Sequence, residues 1–267
     1  MTAKDLGPKA SDEQPMPTTA MVLAAGLGKR MRPITDTMPK PLVKVAGKTL
    51  LDWGLDCLAE AGVAKAVVNV HYLPQQIVDH VARRSAPRIV ISDESRGLLD
   101  SAGGIVKALP SLGVPFYVLN ADTFWIDSGV SNLRRLALAW EGATMDILLM
   151  LADLQSATGH SGGTDFLVAP DGALRRANND PAGLIYAGAA IAHPRLFKDA
   201  PTGPHSLNAY FDAAIATGRL FGMKMQGHWI TVGTPDAIPL AEAAVAAALA
   251  GTPNAVAEAP GAFTEAK

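Results

Sequence analysis

The sequence predicts an α/β fold: a mixed, mostly parallel sheet flanked by helices. Three observations carry that prediction. Apolar, β-branched runs recur along the first half of the chain. Amphipathic stretches of helical period separate several of them. The second half changes character and carries hairpin signals instead. Strands that alternate with helices argue for parallel pairing, with both faces of the sheet covered.

Taken in order, strands are expected at 20–25, 66–71, 88–92, 116–121 and 145–151, and helices at 50–61, 74–84, 102–109 and 130–140. Phe166-Leu167-Val168, then Asp171-Gly172, then Leu174 reads as a hairpin with an Asp-Gly turn. Leu184 to Ala192 reads as a strand, Asn208 to Thr217 as a helix and Trp229 to Val232 as a short strand. This half is expected to add antiparallel strands and a lid over a second ligand. Residues 1–19 and 252–267 are rich in Pro, Ala, Thr and charge and lack periodicity, so both read as flexible tails around one domain, 20–251.

Composition excludes several classes. The formal net charge of the 267 residues is −2, so no global basic field argues for nucleic acid. One cysteine, Cys57, rules out an intrachain disulfide and a cysteine-rich zinc site; it reads as a small buried apolar residue. The first 19 residues carry charges and three prolines but no apolar core, so no signal peptide is expected. No uncharged apolar run approaches the ~18–20 residues of a membrane span. The expectation is a soluble cytoplasmic protein, a monomer or small homo-oligomer. Histidines 71, 80, 160, 193, 205 and 228 show no metal-ligand spacing, and no G-x-S-x-G elbow supports a serine hydrolase.

Against this near-neutral background one loop stands out. The first strand runs into Gly26-Leu27-Gly28, and residues 29–44 hold five cations (Lys29, Arg30, Arg32, Lys40, Lys44) against one acid, Asp36. Glycines let an anion approach backbone N–H groups, and the cations neutralise it. The loop reads as a polyphosphate cradle. A dinucleotide reading fails on three counts: Met31 replaces the third glycine, Pro33 and Pro39 break any immediate helix, and the next strand ends in Asn69-Val70-His71 without an acid. A Walker loop fails because no G-K-[ST] closes it. Asp122 follows the most apolar strand, where a carboxylate is well placed to hold Mg²⁺ beside phosphates; the alternative is a helix N-cap. Asp93-Glu94 leads into Leu98 to Gly104, a small-residue turn against which a flat base could lie, or a plain capped turn.

Together these pieces resemble the sugar-1-phosphate nucleotidyltransferases. The resemblance rests on Leu23-Ala24-Ala25-Gly26-Leu27-Gly28-Lys29-Arg30-Met31-Arg32-Pro33-Ile34-Thr35 and Pro39-Lys40-Pro41-Leu42. It continues through Gly47-Lys48-Thr49-Leu50, Ser101-Ala102-Gly103-Gly104, Asp122 and Gly227 to Thr234, and covers about 20–245. It implies the Rossmann-like sheet of nucleotide-sugar transferases, with a nucleoside triphosphate and a sugar 1-phosphate as partners. Overall likeness points to uridylyl transfer to N-acetylmuramate 1-phosphate in cell-wall recycling; guanylyl transfer to mannose 1-phosphate is the alternative. It further implies that Gly26, Gly28 and Lys29 wrap the triphosphate, with Arg30 on the β- and γ-phosphates and Lys40 near the reacting centre. Asp122 would bind Mg²⁺. Ala24, Ala25, Gly26, Glu94, Ala102 and Gly103 would line the nucleotide, and Asp165 and Gly188 would face the sugar. Two departures stand out. Thr231 occupies the place where relatives carry a second metal-binding aspartate, and Ser101-Ala102 replaces a Thr-Gly pair. The first leaves open a nucleotide-binding protein without turnover.

Overall fold

A computed structural model describes residues 16–250. Residues 1–15 and 251–267, most of the two expected tails, lie outside it. Strand β1 (Thr19–Leu23) leads into three single 3₁₀ turns, Lys29–Met31, Ile34–Asp36 and Lys40–Leu42. Next comes a small hairpin of β2 (Lys44–Val45) and β3 (Lys48–Thr49). Its two turn residues, Ala46 and Gly47, both have positive φ, the turn that matches strand twist. Thr49 caps α1 (Leu50–Glu60), accepting the Asp52 N–H at 3.0 Å. The alternation then runs through β4 (Lys65–Val70), α2 (Pro74–Val81), β5 (Arg88–Asp93), α3 (Asp100–Ala108) and β6 (Phe116–Asn120).

Beyond β6 the chain is more irregular. It forms β7 (Thr123–Asp127), α4 (Asn132–Leu138), β8 (Ile147–Ala152) and a two-residue β9 (Ala157–Thr158). β10 (Phe166–Val168) and β11 (Leu174–Arg176) make the expected hairpin around Asp171-Gly172. β12 (Ile185–Ala192), α5 (Asn208–Ala216), β13 (Leu220–Lys224), β14 (Gly227–Thr231) and α6 (Ala237–Leu249) complete the described chain.

Seven strands form the central sheet in the order β13-β8-β12-β6-β1-β4-β5. β12 runs antiparallel to both of its neighbours; the other four pairings are parallel. The sheet is therefore mixed and mostly parallel, as expected. Period-two alternation sends its residues to two cores. Leu51, Leu55, Ile77, Val81, Leu133 and Leu136 of α1, α2 and α4 pack on Val22, Val68 and Leu119. Ala102, Ile105, Phe211 and Ala214 of α3 and α5 pack on Met21, Val67 and Val118. Cys57 sits at the edge of the first core, and burial pushes its thiol up to about 12, so it stays an unreactive thiol at neutral pH.

A second sheet, β7-β14-β9, and helix α6 build a third core. Met31 from the first 3₁₀ turn is buried there with Phe124, Ile230, Val232 and Ala241. The cationic loop is thus anchored from below by one apolar side chain. Among the described residues no helix is long and apolar enough to cross a membrane.

Candidate active site

The chain leaves β1 toward β4 on one side and later returns to pair β6 on the other. A cleft opens outside the carboxyl ends of the strands at such a reversal. A cleft of about 260 Å³ lies there, lined by Leu23 to Gly26 after β1, Asn69 at the end of β4, and Asn120, Ala121 and Asp122 after β6. Lys40 and Pro41 close one side; Leu98, Asp100 and Ser101 close the other.

The loop after β1 is held tightly by few bonds. Gly28 turns with φ 62°, and its carbonyl accepts both the Met31 N–H and the Thr35 hydroxyl at 2.8 Å. The Tyr72 hydroxyl donates to the Thr35 carbonyl (2.8 Å), and Gln76 Nε2 donates to the Thr37 carbonyl (3.0 Å). The cations divide into two groups. Arg32 pairs with Asp36 on the surface at 3.1 Å. Lys40, with a side chain only 11% exposed, places Nζ 2.8 Å from Asp122 Oδ2. Lys29 and Arg30, and farther along Lys44, are exposed and form no side-chain hydrogen bond or ion pair among the described residues. Arg30 lies against the turn after β14: a Cβ on Gly233 would stand 3.7 Å from its Nη1. Two unpaired cations beside a glycine turn leave the loop electrostatically ready for an anion.

The Lys40–Asp122 pair joins two residues expected to serve phosphate and metal separately. Val232 N–H donates to the Asp122 main-chain carbonyl at 3.1 Å, and Thr231 pairs with Thr123, so the backbone at Thr231 runs beside that at Asp122. Burial and the Asp122 charge push the nearby Tyr186 phenol up, and its hydroxyl has no hydrogen-bond partner among the described residues. No group of three His, Cys, Asp or Glu among the described residues could hold a metal ion. Among the described residues Asp122 is the one carboxylate lining the β6 side of the cleft, and its side chain is 38% exposed. That donor set fits a Mg²⁺ that draws most of its oxygens from phosphates and water, the usual habit of this ion.

Other expected residues fall elsewhere. Ala24 lines the cleft, but its N–H is already spent on Asn69 Oδ1 at 2.7 Å. Glu94 does not reach the cleft; it is 1% exposed and accepts from Asn69 Nδ2 (2.8 Å) and the Leu99 N–H (3.0 Å). Ala102 and Gly103 also sit behind the wall, because both N–H groups donate to the His205 carbonyl (3.0 and 3.2 Å). Their place is taken by Leu98, Asp100 and Ser101. Asp165 and Gly188 do not line this cleft: Asp165 Oδ2 accepts the Tyr186 N–H at 2.8 Å, and Gly188 occupies the bulge of β12, directly behind Asn120 and Thr123. Asn69 and Asn120 were missed. The available signal was a polar residue closing an apolar strand on the carboxyl side of the sheet.

Comparison with known proteins identifies the family. Residues 20–178 match the model of the MobA-like NTP transferase domain. An N-acetylmuramate alpha-1-phosphate uridylyltransferase of Caulobacter vibrioides is 43% identical, over 87% of this chain and 98% of its own length. The protein of that name from Neisseria meningitidis serogroup B is 36% identical, over 80% and 93%. A mannose-1-phosphate guanylyltransferase catalytic subunit of Dictyostelium discoideum is more distant, at 27% over 81% of this chain and 61% of that subunit. Among solved structures, a UDP-glucose pyrophosphorylase complexed with UDP-glucose superposes with a TM-score of 0.69 at 16% identity, covering 86% of this chain and 99% of that one. The last of these shows the fold; the family match and the two uridylyltransferases go further, and the chain belongs to the MobA-like NTP transferase family of nucleotidyltransferases.

Proposed function

We propose that this protein transfers a uridylyl group from UTP to N-acetylmuramate 1-phosphate and releases pyrophosphate, as a cytoplasmic step of cell-wall recycling. The observation that carries the reading is the cleft between β1 and β6, lined by Gly26 and by the Lys40–Asp122 pair, with Lys29 and Arg30, unpaired among the described residues, on the loop that follows Gly26. The two uridylyltransferases at 43% and 36% identity support the base and the sugar.

In this reading an oxygen of the sugar phosphate attacks the α-phosphorus of UTP in line. The new P–O bond forms as the bond to the β-phosphate oxygen breaks, and pyrophosphate leaves with that electron pair. The attacking phosphate is already anionic near neutral pH, so no general base is required. The obstacle is repulsion between two anions. Arg30 meets the β- and γ-phosphates, and Lys40 swings from Asp122 toward the α-phosphate. Asp122 would hold a Mg²⁺ that neutralises charge on the phosphate oxygens. Holding both reactants in place supplies ~7–11 kcal/mol of the barrier, and fixed charges aimed at the leaving group supply much of the rest. The base lies against Leu98 and Ser101, and the sugar lies toward Asp165 and Gly188.

Thr231 favours a second reading, a protein that binds nucleotide without turning it over, since it brings no carboxylate beside Asp122. One experiment separates the two: a matrix of nucleoside triphosphates against sugar 1-phosphates, with magnesium or excess chelator, read by pyrophosphate release. Release only with UTP, N-acetylmuramate 1-phosphate and magnesium together is the expected result. UTP binding with no release from any pair establishes the second reading.

A further inference from the structure

We propose that Asn69 and Glu94 are positioning residues that lock the two walls of the nucleotide cleft at a fixed spacing. The proposal rests on reading that cleft as the nucleotide site. Four groups form a relay. The Ala24 N–H donates to Asn69 Oδ1 (2.7 Å), Asn69 Nδ2 donates to Glu94 Oε1 (2.8 Å), and the Leu99 N–H donates to Glu94 Oε2 (3.0 Å). The relay begins at the first residue of the phosphate loop. It ends one residue before Asp100 and Ser101, which line the opposite wall.

Three features mark it as built rather than incidental. Asn69 and Glu94 are 2% and 1% exposed, so little water competes for these bonds. Every oxygen in the relay accepts and every nitrogen donates, which fixes the Asn69 amide in one orientation. The helix passing over it has no side chain at Gly104, where a Cβ would stand 2.8 Å from both Asn69 Nδ2 and Glu94 Oε1. The Glu94 backbone is held as well, its carbonyl 2.7 Å from His71 Nδ1. Glu94 lines no part of the cleft. Its part is to keep the glycine loop and the base-side turn ready before UTP arrives, so that binding spends little on ordering them.

The hydrogen-bond pattern predicts its own repair. Glu94→Gln sets an amide NH₂ against either the Asn69 amide or the Leu99 N–H, donor facing donor. Asn69→Asp sets two carboxylates in contact. In the double variant Asn69→Asp/Glu94→Gln the pattern closes again at unchanged total charge. The new aspartate accepts from the Ala24 N–H and from the new glutamine, whose oxygen accepts from the Leu99 N–H. UTP affinity by calorimetry, KM for each substrate and melting temperature are measured for the full chain and the three variants. Each single variant is expected to weaken UTP binding about tenfold, with KM for the sugar phosphate nearly unchanged. The double variant is expected to return to within about threefold of the parent. Single variants that lose melting temperature but bind UTP like the parent overturn the proposal, because a purely structural network behaves so. A double variant no better than the singles overturns it too. Should a single variant fail to fold, Gly104→Ala crowds the relay without removing a group, and parent-like UTP affinity there is the overturning result. A parent chain that binds no UTP sinks the reading of the cleft instead.

Discussion

Replacing the two loop glycines separates shape from stability at the phosphate cradle. Gly28 has φ 62°, and a Cβ there would lie 3.0 Å from Thr35 Cγ2 and 3.1 Å from Lys40 Cβ. An L-residue in this left-handed region costs ~1–2 kcal/mol before any crowding. Relief is hard to find, because Thr35 is bonded to the Gly28 carbonyl and Lys40 to Asp122. Gly28→Ala should therefore lower the melting temperature by about 2–8 °C, at ~2–4 °C per kcal/mol for a domain of this size. It should also push Lys40 off its station, so that turnover falls together with stability. Gly26 differs: a Cβ there meets nothing within 4 Å, yet the residue lines the cleft. Gly26→Ala should leave stability within about 0.5 kcal/mol of the parent. Its methyl group stands where a phosphate must approach the backbone, so UTP binding should weaken about tenfold, the equivalent of ~1.4 kcal/mol. Thermal melts and calorimetric UTP titration read both effects. Parent-like UTP affinity in both variants refutes the cradle, whatever happens to the melting temperature.

Two further outcomes are expected. Arg30→Ala and Asp122→Ala should each cut pyrophosphate release by about 10²–10³ with the circular dichroism spectrum preserved, the usual loss when a charge-stabilising group is removed; release within twofold of the parent from either variant counts against its assigned role. Away from the site, burial pushes the Asp146 carboxyl up, but hydrogen bonds and charge from Arg195 (2.5 Å) and Arg219 (2.8 Å) outweigh it and hold it below the ordinary 3.8. A depressed carboxyl contributes stability above its unfolded value, and that contribution fades as pH falls through the folded one. Asp146→Asn should accordingly destabilise the protein by ~1–3 kcal/mol at pH 7, and the gap to the parent should close as pH drops below 3.8. Urea melts at neutral and acid pH test this; a gap that persists unchanged into acid counts against the ion-pair account.

Local chemistry made much of this protein legible. Runs of β-branched residues such as Ala66 to Val70 pair as strands because they suit a surface buried on both sides. Asp171-Gly172 turns a hairpin because glycine accepts the positive φ that such turns require. The crowding of Lys29, Arg30 and Lys40 beside Gly26 and Gly28 singled out the loop from which Gly26 and Lys40 line the cleft, because like charges crowded in a near-neutral chain call for something to answer them. Other elements were hidden. β7 and β13 are short and partly exposed, and α6 is an alanine-rich helix with little polar contrast between its faces, so none carries a clear period.

What the sequence determined by itself was which residues bear charge, where the chain must turn, and how strands and helices alternate; these follow from bonds and propensities within a few positions. What only the tertiary structure decided was which groups meet. Lys40 and Asp122 lie 82 positions apart, and Ala24 and Asn69 lie 45 apart. Their contacts depend on strand order and on the free energy of closing long loops, which no window of sequence contains. For the same reason Glu94, which reads as a surface acid of the cleft, belongs to the frame behind it: one carboxylate is spent on making two walls into one site.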